Sequence, residues 1–321
     1  MSKDQKWVAC GTTRGASIWN AELRKKVVKV EDGEIVYSVD IAPDCTKFAT
    51  GTYQKQATIW SIMTGEKLLD PFKHSGVVMG VKFSPDGGRL ATACIGDSTI
   101  RIFDAHNGDQ LVSIENAILH NSFLPIAWST HGQELFAISK EYQIKSFDSS
   151  TGSPRVEWKI HENDGGPMSI ALSASGKFIA SSAGCFVSFW DTSTHTQLGI
   201  VEGTHMIESI ALSPDGYHLA MGSTDLGSSI IQDLRGILPG SYMPGNISTP
   251  FLKPIMTLIH DLRFCTHVNY MFQTVSAGSS CVQNGELIPM CRWSISQPRN
   301  PYPIPRSRRI VAGKMRTLCS R

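Results

Sequence analysis

The sequence predicts an all-β fold in which small antiparallel sheets are arranged radially, and two recurring phrases predict it. In the first phrase an apolar stretch ends in an aromatic residue, or in Gln in the last copy, followed by a small polar residue. The marked positions are Trp19, Trp60, Phe103, Phe147, Trp190 and Gln232, and they lie 41, 43, 44, 43 and 42 residues apart. A period of about 40–45 residues built from short strands is typical of a radial array of sheets.

The second phrase is a turn that runs in step with the first. Ser84-Pro85-Asp86-Gly87 and Ser213-Pro214-Asp215-Gly216 are full copies, and weaker copies begin at Ala42, Ser129 and Ser173. Proline presets φ, aspartate binds its own backbone and glycine tolerates positive φ. Each copy therefore predicts a tight hairpin turn between two strands.

Each period predicts four antiparallel strands, because a third marker such as Thr64-Gly65 leads into a further strand after the aromatic residue. Residues 2–7 align with residues 84–89, so the first sheet is expected to lack its first strand. The sixth sheet shows no clear fourth strand. We expect six sheets, of which the first and the last are incomplete, and seven if the C-terminal part of the chain also folds.

These repeats resemble the WD40 family of β-propellers over about residues 2–234. The resemblance implies a hydrogen-bonded network in each blade that joins a His, a Ser or Thr, an Asp and the Trp. The matching residues here are His74, Thr92 and Asp97 with Phe103 in the Trp place, Ser181 with Trp190, and His205 with Asp225. Because Phe cannot donate a hydrogen bond, we expect the network of that blade to be one bond short. We interpret these residues as structural supports and not as catalysts.

The composition of the chain changes near residue 236. Residues 1–236 carry 20 basic and 26 acidic side chains, for a net charge of −6, whereas residues 237–321 carry 10 and 2, for a net charge of +8. We therefore expect a propeller domain of residues 1–236 and a Pro- and Arg-rich tail of residues 237–321.

Three interpretations of residues 237–321 remain open. The segment is a disordered or irregular tail, a distorted extra blade suggested by His267 and Arg292-Trp293-Ser294, or an unnatural extension of the gene product. Residues 255–259 are a candidate strand that would help to close the ring. A further alternative is that the whole chain is a fragment of a larger WD40-repeat protein.

Composition and motifs argue against several classes of protein. The chain has no run of 18 apolar residues and no apolar segment behind its N-terminus, so we expect neither a transmembrane helix nor a secretory signal. The eight cysteines show no Cys-x-x-Cys pair, which favours reduced thiols in the cytoplasm or nucleus. No zinc pattern, phosphate loop or Gly-x-Ser-x-Gly elbow is present. We expect no enzyme activity, cofactor, metal ion or small-molecule substrate.

The predicted function is that of a protein-protein interaction scaffold, because loops on rigid scaffolds are where recognition usually lies. The loops that join one blade to the next supply the candidate partner residues Lys73, His74, His120, Asn121, His161, Glu162, Asp164 and His205. The acidic loop 161–164 and the negative charge of residues 1–236 favour a basic peptide as the partner. The alternative is that residues 299–321, with seven basic and no acidic side chains, bind nucleic acid or an anionic membrane. A solvated tail is our preferred interpretation of these residues.

Overall fold

The computed structural model describes residues 1–118, 125–139, 143–160, 167–203, 206–213, 215–222, 229–243, 282–283 and 286–287. Contacts divide the chain into two compact units, Met1–Ala277 and Gly278–Arg321. In the second unit the described residues form a short antiparallel pair of strands, Val282–Gln283 with Glu286–Leu287. Within these ranges no helix has the length and apolar character needed to cross a membrane.

The described residues of the first unit form six blades, each an antiparallel sheet whose strands pair in chain order. Blade 1 contains β1 (Trp7–Thr12), β2 (Gly15–Asn20) and β3 (Lys25–Val30), and blade 2 contains β4 (Val36–Ile41), β5 (Lys47–Thr52), β6 (Gln56–Ser61) and β7 (Phe72–Lys73). Blade 3 contains β8 (Val78–Phe83), β9 (Arg89–Cys94), β10 (Thr99–Asp104) and β11 (Gln110–Ile114), and blade 4 contains β12 (Ile126–Trp128), β13 (Glu134–Ile138), β14 (Gln143–Asp148) and β15 (Pro154–Lys159). Blade 5 contains β16 (Pro167–Leu172), β17 (Phe178–Ala183), β18 (Phe186–Asp191) and β19 (Gln197–Glu202), and blade 6 contains β20 (Ser209–Leu212), β21 (His218–Gly222) and β22 (Ser229–Asp233).

This architecture confirms the predicted propeller and its incomplete end blades. Blades 2 to 5 have four strands, while the described parts of blades 1 and 6 have three. All six marker residues of the repeat lie on equivalent strands, namely β2, β6, β10, β14, β18 and β22. The first strands of neighbouring blades contact one another, as β4 does with β8 and β16 with β20. We therefore call β4, β8, β12, β16 and β20 the inner strands, and β3, β7, β11, β15 and β19 the outer strands.

The predicted turns have the backbone conformation that their residues favour. Asp86 Oδ1 accepts the N–H of Gly88 at 3.0 Å, and Gly87 has φ of 74°. A backbone bond closes each turn: Ser84 N–H donates to Arg89 O at 2.9 Å, and in blade 1 Ser2 N–H donates to Trp7 O at 2.8 Å. Residues 2–7 thus form the first turn of blade 1, which assigns β1 the place of a second strand.

The apolar core lies between the blades. One cluster joins Val28 and Val30 of β3 to Phe48 and Trp60 of blade 2, and similar clusters follow at the later junctions. Phe48 is completely buried. Burying a side chain of this size stabilises the fold by about 1.5–3 kcal/mol, so the packing of one blade on the next holds the propeller together.

The chain after β22 turns back onto blade 5. Leu234 and Leu238 belong to the apolar cluster of blades 5 and 6, and a 3-10 helix follows at Gly240–Tyr242. The hydroxyl of Tyr242 donates to Asp191 Oδ2 at 2.5 Å, and this bond lowers the pKa of Asp191 to about 2. A Cβ atom on Gly199 would lie 2.9 Å from Ile237 O, so this close approach needs glycine. Apolar packing therefore continues past residue 236, as far as Met243.

Candidate interaction face

Two sets of loops meet at the same end of the blades and form what we call the upper face. The loops that enter the inner strands bond to the turns that follow the second strands. Examples are Tyr53 N–H to Ile35 O at 2.8 Å, Ile95 N–H to Val77 O at 3.0 Å and Gly203 N–H to Cys185 O at 2.6 Å. At the opposite end, the lower face, the repeat turns bond to the turns before the outer strands, as Ile62 N–H does to Thr46 O at 2.9 Å.

The polar network of blade 3 is organised around an arginine that the family pattern does not contain. One nitrogen of Arg101 lies 2.8 Å from His74 Nδ1, and another donates to Asp97 Oδ2 at 3.0 Å. Ser75 and Thr99 also donate to the Asp97 carboxylate. Thr92 Oγ1 bonds to the backbone oxygen of Arg101 at 3.3 Å. The arginine thus bridges His74 and Asp97, which the sequence placed in one network without it.

Phe103 occupies the Trp place of blade 3 as an apolar residue. Its ring stacks on Phe72 with 4.3 Å between centroids and meets His74 edge to face at 5.9 Å. The Nε2 atom of His74 is buried without a hydrogen-bond partner. His74 is therefore held by its Nδ1 contact with Arg101 and by ring packing.

The protonation states follow from this burial. Burial, reinforced by the charge of Arg101, lowers the pKa of His74 to about 4. Burial acts against ionisation of Asp97, but the hydrogen bonds from Ser75 and Thr99 hold the pKa of its carboxyl below the ordinary value. A neutral His74 and an ionised Asp97 are expected near neutral pH.

Two other blades hold a shorter version of the same support. Trp190 Nε1 donates to Ser181 Oγ at 3.0 Å, and Trp60 Nε1 donates to Thr50 Oγ1 at 2.9 Å. The second pair was missed in the sequence, although Thr50 stands at the same distance from its turn as Thr92 does. These buried bonds anchor the third strand of each blade to the second.

The remaining sequence candidates divide by position. Lys73 is exposed at the end of β7, while His74 is only 9% exposed and offers little surface to a partner. Seven candidates lie outside the described residues: His120, Asn121, His161, Glu162, Asp164, His205 and Asp225.

A pair of tyrosines and an acidic loop form a patch on the upper face that the sequence did not single out. Tyr53 is 53% exposed, and its ring lies 6.3 Å from that of the half-buried Tyr37. The loop of residues 31–35 is joined at Ile35 to the turn that holds Tyr53, because Ile35 N–H also bonds to Gln54 Oε1 at 3.2 Å. It carries Glu31, which pairs with Lys29, and the acidic residues Asp32 and Glu34. We call Tyr37, Tyr53 and residues 31–35 the tyrosine patch. Burial raises the pKa of the Tyr37 hydroxyl, which leaves this ring neutral.

The described residues contain no cluster of three His, Cys, Asp or Glu side chains arranged to hold a metal ion.

Comparison with known proteins finds a family model and curated proteins that resemble parts of this chain. Residues 66–104 match the family model described as WD domain, G-beta repeat. The chain is 28% identical over 197 residues to the transcriptional corepressor LEUNIG_HOMOLOG of Arabidopsis thaliana. The aligned region covers 60% of this chain and 24% of that protein. It is 27% identical over 150 residues to eukaryotic translation initiation factor 3 subunit I of Aspergillus oryzae, covering 43% of this chain and 44% of that one. The chain thus spans less than half the length of these relatives.

A solved structure shares the fold. The β-propeller domain of Cps50 (Swd1) from Myceliophteria thermophila aligns with a TM-score of 0.65 and 12% identity, covering 74% of this chain and 83% of that one. Propellers of this family are in general non-catalytic and bind proteins or peptides. The resemblance to the WD40-repeat family predicted from the repeats is confirmed, and the fold of the chain is that of a β-propeller.

Proposed function

We propose that the chain is a non-catalytic scaffold whose upper face binds a basic peptide or protein segment at the tyrosine patch. The observation that carries the proposal is the exposure of Tyr53 against Tyr37 beside an acidic loop. Tyrosine is enriched at the centres of interfaces, where its ring supplies apolar area at low entropic cost.

The chemistry of the patch favours a cationic partner. Asp32 and Glu34 lie on one short loop after Glu31, whose carboxylate pairs with Lys29, and Asp32 Oδ1 accepts the N–H of Glu34 at 3.1 Å. The face of a tyrosine ring attracts an ammonium or guanidinium group, and nearby carboxylates add a longer-range attraction. Residues 1–236 also carry a net charge of −6, which supports the same choice.

The cellular setting that we propose is the cytoplasm or nucleus. The described cysteines, Cys10, Cys45, Cys94 and Cys185, are thiols and not disulfides, which suits a reducing compartment. The names of two relatives, a transcriptional corepressor and a subunit of a translation initiation factor, support work within a protein assembly.

The experiment compares a labelled peptide of alternating lysine and alanine with its glutamate counterpart by fluorescence anisotropy on the full chain. We expect the lysine peptide alone to bind, and Tyr53→Ser and Asp32→Lys each to weaken it about tenfold or more, the equivalent of about 1.4 kcal/mol. Leu23→Ser and Glu22→Lys are matched controls, because both residues are exposed in a turn of the lower face. Equal binding of both peptides, or an equal loss in the controls, would refute the proposal.

A further inference from the structure

Positive charge is concentrated in blade 1, although residues 1–236 as a whole are acidic. Residues 1–30 carry seven basic and two acidic side chains, for a net charge of +5, whereas residues 31–236 carry 13 and 24, for a net charge of −11. All seven basic residues of blade 1 are exposed. The repeat itself does not require this charge. In blades 3, 4 and 5 the residues equivalent to 22–26, namely 106–110, 150–154 and 193–197, contain no Lys or Arg.

Five of these cations lie at the lower end of blade 1. Lys25 begins β3 and pairs with Asn20, the last residue of β2. The repeat turn of blade 1 is bonded to the same end, because Ala21 N–H donates to Lys6 O at 2.8 Å. We call residues 23–27, together with Lys3 and Lys6 of the repeat turn, the basic corner.

The carboxylates of blade 1 do not neutralise the basic corner. Asp4 Oδ1 accepts the hydroxyl of Ser2 at 2.6 Å and the backbone N–H of Lys6 at 3.1 Å, so this carboxylate serves the turn. Glu22 is the other acidic residue at this end of the blade. Five cations against two carboxylates leave a positive surface, which attracts an anionic partner.

The apolar residues of the basic corner indicate which anionic partner fits. Leu23 is 64% exposed and Val27 is 46% exposed, and they stand on either side of three consecutive cations. Lysines alone suffice to protect the edge of a sheet, so they do not explain the two exposed aliphatic side chains. Sequence-tolerant binding of nucleic acid uses aromatic platforms, but Lys26 Nζ lies over the nearby Trp19 ring, 5.1 Å from its centroid. A lipid surface accepts both features, because it offers anionic headgroups and an apolar layer beneath them.

We propose that the basic corner docks on a membrane surface that carries anionic lipids, with Leu23 entering the headgroup layer between the cations. Arg24 supports a role for this turn, because it has φ of 52° where the equivalent residues Gly65, Gly108 and Gly152 are glycines of positive φ. A non-glycine residue is disfavoured in this conformation. The corner belongs to the lower face, so docking leaves the tyrosine patch on the upper face open to a protein partner.

Co-sedimentation of the full chain with phosphatidylcholine vesicles, with and without phosphatidylserine, gives the first test. We expect binding only to the vesicles with phosphatidylserine, and Lys25→Glu should lower that affinity by about fivefold or more. Lys159→Glu makes the same change of charge at an exposed position on the outer strand of blade 4 and should leave the affinity unchanged. Because residues 237–321 are also basic, this pair of variants separates the corner from the rest of the chain. Absence of binding, an unchanged affinity in Lys25→Glu, or equal losses in both variants would overturn the proposal.

A second pair of variants separates a lipid surface from nucleic acid. Leu23→Ser should weaken binding to the phosphatidylserine vesicles by about fivefold or more, because the apolar side chain no longer enters the headgroup layer. Leu111→Ser, at a 50% exposed position on the outer strand of blade 3, is the matched control and should bind as the original protein does. All four changed positions are exposed, so Tm should stay the same in every variant. If Lys25→Glu weakens binding to polyuridine while Leu23→Ser leaves vesicle binding unchanged, the corner is a surface for nucleic acid and the proposal is wrong.

Discussion

Trp158 on the outer strand of blade 4 stacks on His195 in a turn of blade 5, with 4.6 Å between ring centroids and 27° between the planes. His195 has φ of 59° and stands where three other blades have glycines of positive φ, namely Gly65, Gly108 and Gly152. Those glycines lie against the outer strand of the preceding blade, as Gly152 does against Val112. Blade 5 has replaced a close glycine contact with an aromatic stack.

This stack predicts an unusual order of stability at position 195. His195→Ala loses the ring and keeps the positive φ, so we expect a loss of about 1–2 kcal/mol. His195→Gly loses the same ring but relieves the backbone, and should lie within about 0.5 kcal/mol of the original protein. Urea denaturation followed by tryptophan fluorescence measures both. An alanine variant as stable as the glycine variant would show that the φ of His195 carries no strain.

Arg89 joins blade 3 to the lower face of blade 4. It donates to Gly132 O at 2.6 Å and to Ser149 Oγ at 2.9 Å, and its guanidinium lies 5.0 Å from the ring centroid of Trp128. At the preceding junction Lys47 takes the same place over Phe83, at 5.8 Å. We predict that Arg89→Lys keeps the contact with the ring but loses the forked hydrogen bonds, at a cost of about 1–3 kcal/mol.

The matched control for Arg89→Lys is Lys47→Arg. Lys47→Arg adds hydrogen-bond donors at a position where the native residue is held by a ring contact. We therefore expect the free energy of unfolding to change by less than about 1 kcal/mol. Equilibrium unfolding in urea compares the two variants. Equal effects would mean that the bonds to Gly132 and Ser149 do not contribute to the free energy of unfolding.

The burial of His74 predicts how stability depends on pH. The folded state keeps this side chain neutral down to about pH 4, whereas in the unfolded chain it takes up a proton near pH 6.5. Between these values the unfolded state binds more protons, so the free energy of unfolding should fall as pH falls, by up to about 1.4 kcal/mol per unit. The contribution of the neutral His74 to the free energy of unfolding is complete above pH 6.5 and is lost as the pH falls towards 4.

The pH prediction is checked with His74→Asn, which cannot titrate in this range. Unfolding curves at several pH values from 7 to about 4.5 should converge with those of the original protein as the pH falls. The pKa of Asp97 is lowered from its ordinary value of 3.8, so its effect on the free energy of unfolding falls at lower pH than the window from pH 7 to about 4.5. Parallel pH profiles for the two proteins would contradict the assignment to His74.

The fold could be predicted from the sequence because its signals are local. The turn residues Asp86 and Gly87 fix their own backbone, and the repeated aromatic position follows from the period of the strands. The role of Arg101 could not be predicted, because it depends on the register that brings His74, 27 residues away, to its side chain. The return of the chain to blade 5 after β22 was missed for a similar reason, since Ile237 and Leu238 show no period that identifies their partners.

The candidate surface was predicted less well than the fold. Family resemblance directed attention to His74, which the blade buries, while the exposed ring of Tyr53 belongs to no repeat motif. Tyr37 and Tyr53 come together only through the pairing of β4 with β5, and their exposure depends on the loop that precedes β4. Surface composition at loop ends varies freely between repeats, so periodicity carries no information about it.

The bond from Trp60 to Thr50 gives a prediction in which two changes together cost less than their sum. Thr50→Val removes the acceptor and leaves the buried Trp60 Nε1 without a partner, which should destabilise the protein by about 1–3 kcal/mol. Trp60→Phe removes the donor, and blade 3 already accommodates a phenylalanine at the equivalent position, Phe103. In the double variant no polar group is left unpaired, so we expect a coupling energy of about 1 kcal/mol in the double-mutant cycle. Ser181→Ala with Trp190→Phe repeats the cycle in blade 5, where the same bond is 3.0 Å long. Strict additivity in both blades would mean that these hydrogen bonds stabilise neither blade.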